Sequence, residues 1–230
     1  MSHNVQSVLT LIFCYLLGSI LFGLIISESM YGMDIRKFGS GNVGFTNMKR
    51  TLGWKPAIAV LLLDTGKGVL AVWLCRRVFG GHDNTEHVLI LLGGVLSIIG
   101  HNWSVFYDFA GGKGVATSLG VLIALDPRVA ALALLVGFPL LIYPGYMSIA
   151  SVVGTATVPF WFWLLKDPAP YIYFGLLVLA FVAVRHRSNW ERLRQGTESR
   201  FSFRGRSEGD SPPAAESART EEVKRMKDEG

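Results

Sequence analysis

Apolar residues come in long runs along this chain. Residues 5–27, 56–75 and 88–107 form three such runs, the second holding Asp64 and Lys67, and 148–165 and 171–184 form two slightly shorter ones. A helix rising about 1.5 Å per residue needs roughly 20 apolar residues to cross a bilayer, so each run predicts a membrane span. The stretch 115–143 is interrupted by Asp126, Pro127 and Arg128. Proline removes a backbone donor, and charge at the bilayer centre is costly. Two short helices, 114–125 and 129–143, are therefore expected there. The pattern predicts an all-α polytopic membrane protein with seven transmembrane helices.

Charge adds an orientation. With seven spans, segments 28–55, 108–113, 144–147 and the C-terminal tail share one side and hold most of the Lys and Arg. The other side holds only Arg76, Arg77, Arg128 and Lys166. Basic residues favour the cytoplasmic side, which predicts the N-terminus outside and the C-terminus in the cytoplasm. The first basic residue, Arg36, follows the first apolar run, so no detachable signal peptide is expected.

Composition narrows the class. The 230 residues are 50% hydrophobic and 17% charged, against about 25% charged in a soluble domain. Charge is not evenly spread: the net is +5, and half of the Lys and Arg are crowded into 185–230, the last fifth of the chain. That is not the footprint of a duplex-reading domain, and no nucleic-acid partner is expected. Cys14 and Cys75 sit in apolar runs and read as buried thiols, with no metal-ligand spacing anywhere. The chain divides into a membrane-embedded domain, 1–198, and a polar cytoplasmic tail, 199–230, expected to be flexible.

On the seven-span topology the densest polar segments all fall on the cytoplasmic side. Gly111-Gly112-Lys113-Gly114 opens a helix. Glycines let backbone N–H groups face an anion, the helix N-terminus adds partial positive charge, Lys113 a full one, and Thr117 or Ser118 a hydroxyl. This is a phosphate cradle or simply a glycine-rich turn; it is not a Walker A loop, whose spacing is absent. The first loop interleaves Gly39, Gly41 and Gly44 with Ser40, Asn42, Thr46 and Asn47, flanked by Lys49 and Arg50. Such residues can grip phosphate or acyl oxygens. Asp64 and Lys67 share a helical face and read equally as a structural ion pair or as substrate-facing. His101 and His186, beside Asn102 and near Asn189, stand at cytoplasmic ends of spans. No serine elbow, HExxH or carboxylate pair appears on this face. Two classes remain: a membrane enzyme for a phosphate-bearing small molecule and a lipid, or a transporter or channel for a phosphate-bearing small anion. A carrier should show polar clusters on both sides, which favours the enzyme.

From Gly18 to Glu198 the chain resembles the bacterial acyl-phosphate-dependent glycerol-3-phosphate acyltransferases. The resemblance is carried by Gly39-Ser40-Gly41-Asn42-Val43-Gly44-Phe45-Thr46-Asn47 with Arg50, Asp64-Thr65-Gly66-Lys67-Gly68, and His101 with Gly111 to Thr117. Ser148 and Ser151, then His186-Arg187-Ser188-Asn189, Arg192-Leu193 and Gly196-Thr197-Glu198, complete it. Leu21, Phe45, Ser104, Ala110 and Trp190 depart from the family's usual residues; Phe45 stands where alanine is common.

The resemblance implies a seven-span bundle in the bacterial cytoplasmic membrane, with its site facing the cytoplasm. It implies transfer of a long acyl chain from acyl phosphate to the sn-1 hydroxyl of glycerol 3-phosphate, giving lysophosphatidate and phosphate, with no cofactor or metal. Its partners would be the two substrates and the bilayer, with handover partners in phospholipid synthesis unassigned. On this reading Gly112, Lys113 and Gly114 hold glycerol 3-phosphate, with Gly111, His101, Thr117, Asn47 and Ser148 also binding. Ser40, Asn42, Arg50, His186 and Asn189 hold the acyl phosphate and its developing oxyanion. Asp64, Lys67, Thr46 and Glu198 are structural or secondary. Attack is expected in one step, with a donor phosphate oxygen, His186 or His101 taking the proton.

Overall fold

The computed structural model describes residues 3–80 and 83–203, and its regular elements are helices throughout. In chain order they are α1 (His3–Ser19), α2 (Phe22–Tyr31), α3 (Phe45–Leu52), α4 (Trp54–Phe79), α5 (Asn84–Asn102), α6 (Val115–Leu125), α7 (Pro127–Ile142), α8 (Met147–Ala156), α9 (Val158–Leu164), α10 (Ala169–Arg185) and α11 (Arg187–Arg194). Short 3₁₀ turns lie at Ile35–Lys37 and Val105–Tyr107.

The expectation of seven spans is corrected. Among the described residues three helical segments are long and apolar enough to cross a membrane: Trp54–Phe79, Asn84–Tyr107 and Met147–Leu164. Two bent pairs raise the number to at most five, Val5–Ser19 with Phe22–Tyr31 (44°) and Ala169–Arg185 with Arg187–Arg194 (53°). The excess came from 115–143. Asp126 caps α7, accepting from the Arg128 N–H at 2.8 Å, and Pro127 takes the first helical position, where its missing N–H does no harm. The 11 residues of α6 and 16 of α7 reach about 17 and 24 Å, short of a core of roughly 30 Å. The orientation inferred from seven spans, N-terminus outside and C-terminus cytoplasmic, loses its basis with them.

Close helix approach sets where α6 begins. A Cβ on Gly68 of α4 would stand 2.3 Å from the Thr117 carbonyl oxygen, and one on Gly120 of α6 would stand 1.9 Å from that of Thr65. Only glycine at both positions lets the two backbones touch, and this brings the first turn of α6 level with Asp64 and Lys67. The main core is built from α1, α4–α7, α9 and α10, around residues such as Val72, Ile98, Val121 and Phe162. A second, smaller core of Leu21, Leu24, Ile35, Val43, Met48, Ala57 and Val60 presses the 33–52 segment onto α2 and α4. It gives the first polar loop a rigid base. Large apolar side chains left exposed, among them Leu62, Trp73, Leu135 and Tyr173, suit a lipid-facing surface.

Candidate active site

The first polar loop is shaped by its own asparagines. Asn47, 1% exposed, accepts from the Ser40 N–H at 2.8 Å and donates to the carbonyls of Phe38 (3.0 Å) and Ile35 (3.3 Å). Asn42 Oδ1 accepts from the Gly44 N–H at 2.9 Å just ahead of α3. Asn47 is thus consumed in holding the loop. Ser40, Thr46, Arg50 and the amide nitrogen of Asn42 remain to meet a ligand.

The glycine loop is held from two sides. Gly112 N–H donates to the His101 carbonyl at 2.9 Å. Arg185 donates through Nε to the Gly112 carbonyl (2.9 Å) and through Nη2 to that of Gly111 (2.7 Å). With its carbonyls turned to Arg185, the loop leads into α6 through Gly114, whose φ of +74° lies in the left-handed region. Gly112 must be glycine for a second reason: a Cβ there would lie 2.1 Å from His101 Nε2.

Beneath the loop lies a buried charge cluster. Lys67 Nζ is 2.9 Å from Asp64 Oδ1 and 2.9 Å from His101 Nδ1, and it donates to the Ile20 carbonyl at 2.6 Å. An ammonium can only donate, so His101 Nδ1 accepts and its proton sits on Nε2. This cluster supports the loop from below.

The third contribution comes from the bend after α10. His186 is 2% exposed, and its Nδ1 lies 2.7 Å from the Val182 carbonyl. A carbonyl only accepts, so Nδ1 carries the proton and Nε2 presents a lone pair. Lys113 Nζ donates to Asn189 Oδ1 at 2.5 Å. Asn189 Nδ2 donates to Glu198 Oε1 at 2.6 Å, as does Ser148 Oγ at 3.1 Å, while Arg192 Nε reaches Oε2 at 2.7 Å. Burial pushes the Lys113 ammonium down to about 8; Glu198 opposes the shift, and Arg192, Arg185 and Arg50 add to it. Burial alone would raise the Glu198 carboxyl, but hydrogen bonds from Asn189 and Arg192 hold it below its ordinary value.

These parts enclose one cavity of about 620 Å³. Its polar end takes in Ser40, Asn42, Thr46, Asn47, Arg50, Asp64, His101, Lys113, Gly114, Ser148, His186, Asn189 and Glu198. From there an apolar groove runs between α4, α6, α7, α8 and the start of α9, along Leu61, Leu122, Leu134, Phe138 and Val158. A second, polar depression of about 410 Å³ adjoins it, sharing Ser40, Asn42, Lys113 and Arg192 and adding Gly111, Arg185 and Arg187. Of the residues expected from sequence, Gly112, Thr117 and Lys67 line neither space. Among the described residues no group of His, Cys, Asp and Glu could hold a metal.

Sequence reasoning missed Arg185 and Phe201, it left Arg192 out of the site, and of the two hydroxyls it offered at the start of α6 it carried Thr117 forward where Ser118 lines the cavity. Arg185 directly precedes the flagged His186, which was the available signal. Ser118, 3% exposed, lines the cavity with its hydroxyl unpartnered. Phe201 lies in the stretch assigned to the tail, and nothing in its neighbours marks it.

Fold and site together define a multi-pass α-helical membrane protein that joins an anion-binding end to a lipid-sized apolar groove. The profile of the glycerol-3-phosphate acyltransferase family matches residues 8–196. The glycerol-3-phosphate acyltransferase of Desulforudis audaxviator is 45% identical over 190 residues, covering 83% of this chain and 93% of that protein. Glycerol-3-phosphate acyltransferase 2 of Moorella thermoacetica is 42% identical over 196 residues, covering 85% and 98%. The crystal structure of PlsY, an integral membrane glycerol 3-phosphate acyltransferase, in its glycerol 3-phosphate form superposes with a TM-score of 0.80 at 37% identity, covering 86% of this chain and 96% of that one. Its lysophosphatidic acid form gives 0.78 at 36% identity. The chain belongs to the glycerol-3-phosphate acyltransferase family.

Proposed function

We infer that this protein moves an acyl chain from acyl phosphate to the sn-1 hydroxyl of glycerol 3-phosphate, releasing lysophosphatidate and phosphate. The observation that carries the reading is the single cavity in which two phosphate-suited loops meet the mouth of an apolar groove. A donor that is both lipid and phosphate needs that junction, and an acceptor phosphate needs the second loop.

The acyl chain lies in the groove. The donor phosphate is held by Ser40, Asn42, Arg50 and the start of α3. Lys113, Gly114, Ser118 and the N-terminus of α6 hold the acceptor phosphate, with Arg192 between the two. His186 lines the same space, and its unprotonated Nε2 is the atom to accept a hydrogen bond from the glycerol hydroxyl. The hydroxyl oxygen attacks the acyl carbon, the carbon–oxygen bond to phosphate breaks, and the departing phosphate takes the proton, directly or through His186. His101 is set apart from this path because Lys67 occupies its Nδ1 and Gly112 covers its Nε2. Phosphate is already a good leaving group, so positioning two anions and one hydroxyl is the main task. The catalytic unit extends at least to Phe201, because Ser199 and Phe201 also line the cavity. Residues 204–230 of the proposed tail lie outside the described residues.

The protein is a multi-pass bacterial inner-membrane protein, and its site faces the cytoplasm. Basic residues support this side: Lys49, Arg50, Lys55, Lys113, Arg187 and Arg194 gather at the site end, whereas the opposite end carries Arg76, Arg77, Arg128 and Lys166 among the described residues.

The test supplies palmitoyl phosphate and glycerol 3-phosphate to purified, liposome-reconstituted protein, with palmitoyl-CoA in parallel. One lysophosphatidate per phosphate from the acyl phosphate alone is expected. No turnover by demonstrably folded protein would sink the reading.

A further inference from the structure

After α11 the chain turns back as a strap, residues 197–203, over the polar end of the cavity. Its first half is fixed by Glu198, whose carboxylate accepts from Ser148, Asn189 and Arg192. Its second half is fixed by Phe201. The Phe201 N–H donates to the Gly145 carbonyl at 2.7 Å. Its ring stacks on Phe45 with centroids 6.0 Å apart and meets Trp54 edge-on at 6.1 Å. Lys49 Nζ donates to the Ser202 carbonyl and stands 5.2 Å from the ring centres of both Trp54 and Phe201. The strap therefore joins the loop before α8 to the junction of α3 and α4.

Phe45 and Phe201 line the cavity as well as each other. Phe45 is the first residue of α3, directly after the loop that holds the donor phosphate. Two apolar rings laid over that loop do little to bind a phosphate. What they supply is exclusion of water from the end of the cavity where the anhydride lies. We propose that Phe45 and Phe201 form a water-excluding cover and are specificity-determining residues, directing the acyl group to glycerol 3-phosphate instead of water. The proposal rests on the acyl-phosphate reading above. In transfer, the glycerol oxygen bonds to the acyl carbon, the bond to phosphate breaks, and phosphate leaves with the hydroxyl proton. In hydrolysis water takes the glycerol's place, and the products are fatty acid and phosphate. The two outcomes release the same phosphate but differ in the acylated product.

The experiment uses the full chain, purified in detergent, as wild type, Phe201→Ala, Phe201→Leu, Phe45→Ala and the Phe45→Ala/Phe201→Ala double variant. Each receives palmitoyl phosphate with and without glycerol 3-phosphate, and palmitate, lysophosphatidate and phosphate are measured against an enzyme-free blank. Phe201→Ala and Phe45→Ala should each raise the ratio of palmitate to lysophosphatidate roughly tenfold, with Phe201→Leu between them and wild type. The double variant should be no worse than the stronger single, because both remove one cover. Loss of total rate at an unchanged ratio in Phe45→Ala and in either folded Phe201 variant would overturn the cover, leaving the strap a packing element. Wild type that forms no lysophosphatidate from palmitoyl phosphate would overturn the donor assignment and this proposal with it.

Discussion

Replacing Glu198 with Gln tests the electrostatics of the site through one atom change. Lys113 Nζ is 2.5 Å from Asn189 Oδ1, and Asn189 Nδ2 is 2.6 Å from Glu198 Oε1. The two charges therefore lie roughly 6–7 Å apart, worth about 2.5 kcal/mol at an effective dielectric of about 20. Partial exposure of Glu198 reduces this to about 1.4 kcal/mol, or about one pH unit. Lys113 sits at about 8 in the wild type, so its charge is present below that pH and lost above it. A neutral Lys113 holds an anionic phosphate poorly. The kcat/KM for glycerol 3-phosphate should thus fall above about pH 8 in the wild type, and above about pH 7 in Glu198→Gln. The ratio of wild type to variant should grow by about fivefold between pH 6 and pH 8, on top of any constant loss from broken hydrogen bonds. Initial rates at saturating acyl phosphate, from pH 6 to 9, measure it. Lys113→Arg should abolish the alkaline limb. A wild-type to variant ratio that is the same at every pH would refute the reasoning, since Lys113 charge would then not govern binding.

Three further outcomes follow from the same geometry. His186→Ala should lower kcat on the order of 100-fold with little change in the KM for glycerol 3-phosphate; a loss below about tenfold would take His186 out of the proton's path. Arg185→Leu removes two charge-assisted bonds to the Gly111 and Gly112 carbonyls, each worth about 1.5 kcal/mol or more. It should raise that KM at least roughly tenfold, and an unchanged KM would show that the loop keeps its shape without it. Lys67→Met leaves Asp64 buried without its partner and should destabilise the protein by about 3–5 kcal/mol. Thermal unfolding of the detergent-solubilised protein would register this, and Asp64→Asn/Lys67→Met should recover part of the loss. Equal Tm values for Lys67→Met and wild type would remove the pair from the folding core.

Sequence made the membership of the site more legible than the tasks of its residues. Asn42, Lys113 and Asn189 stand out because amides and an ammonium among glycines at the ends of apolar runs have little else to do. What each binds depends on partners distant in the chain. Asn47 looks like a ligand residue, yet its amide is spent on Ser40, Phe38 and Ile35. Lys67 reads equally as a structural partner of Asp64 or as a substrate cation, and only its contacts with Asp64, His101 and the Ile20 carbonyl decide for the first. Phe45, a bulky residue within a glycine-rich segment, makes sense only beside Trp54 and Phe201. The number of spans was illegible for a different reason. Run length reports apolarity, whereas crossing depends on how far each helix reaches: the apolar stretch 115–143 splits into α6 and α7, each too short to span, and the 44° and 53° bends decide only whether two further pairs each make one span.

The cations divide into two populations, and the division matches the chemistry. Lys67, Arg185 and Lys49 each donate to backbone carbonyls, of Ile20, of Gly111 and Gly112, and of Ser202. They shape the backbone around the site. Only Arg50, Lys113 and Arg192 among the Lys and Arg of the described residues line the cavity itself. Glycerol 3-phosphate, a phosphate monoester, and acyl phosphate, a mixed anhydride, together bring a charge of about −3 to −4 near neutral pH. Three cations and the N-termini of α3 and α6, at about half a charge each, supply about +4, which the Glu198 carboxylate in the same lining reduces to about +3. Glu198 then has its own donors in Asn189, Ser148 and Arg192, and so steers Lys113 and Arg192 while leaving them aimed inward. A site balanced this closely brings two anions together without mutual repulsion. It also tolerates little loss, so removing any one of the three cations should raise the KM of a phosphate substrate more than a lone surface charge would.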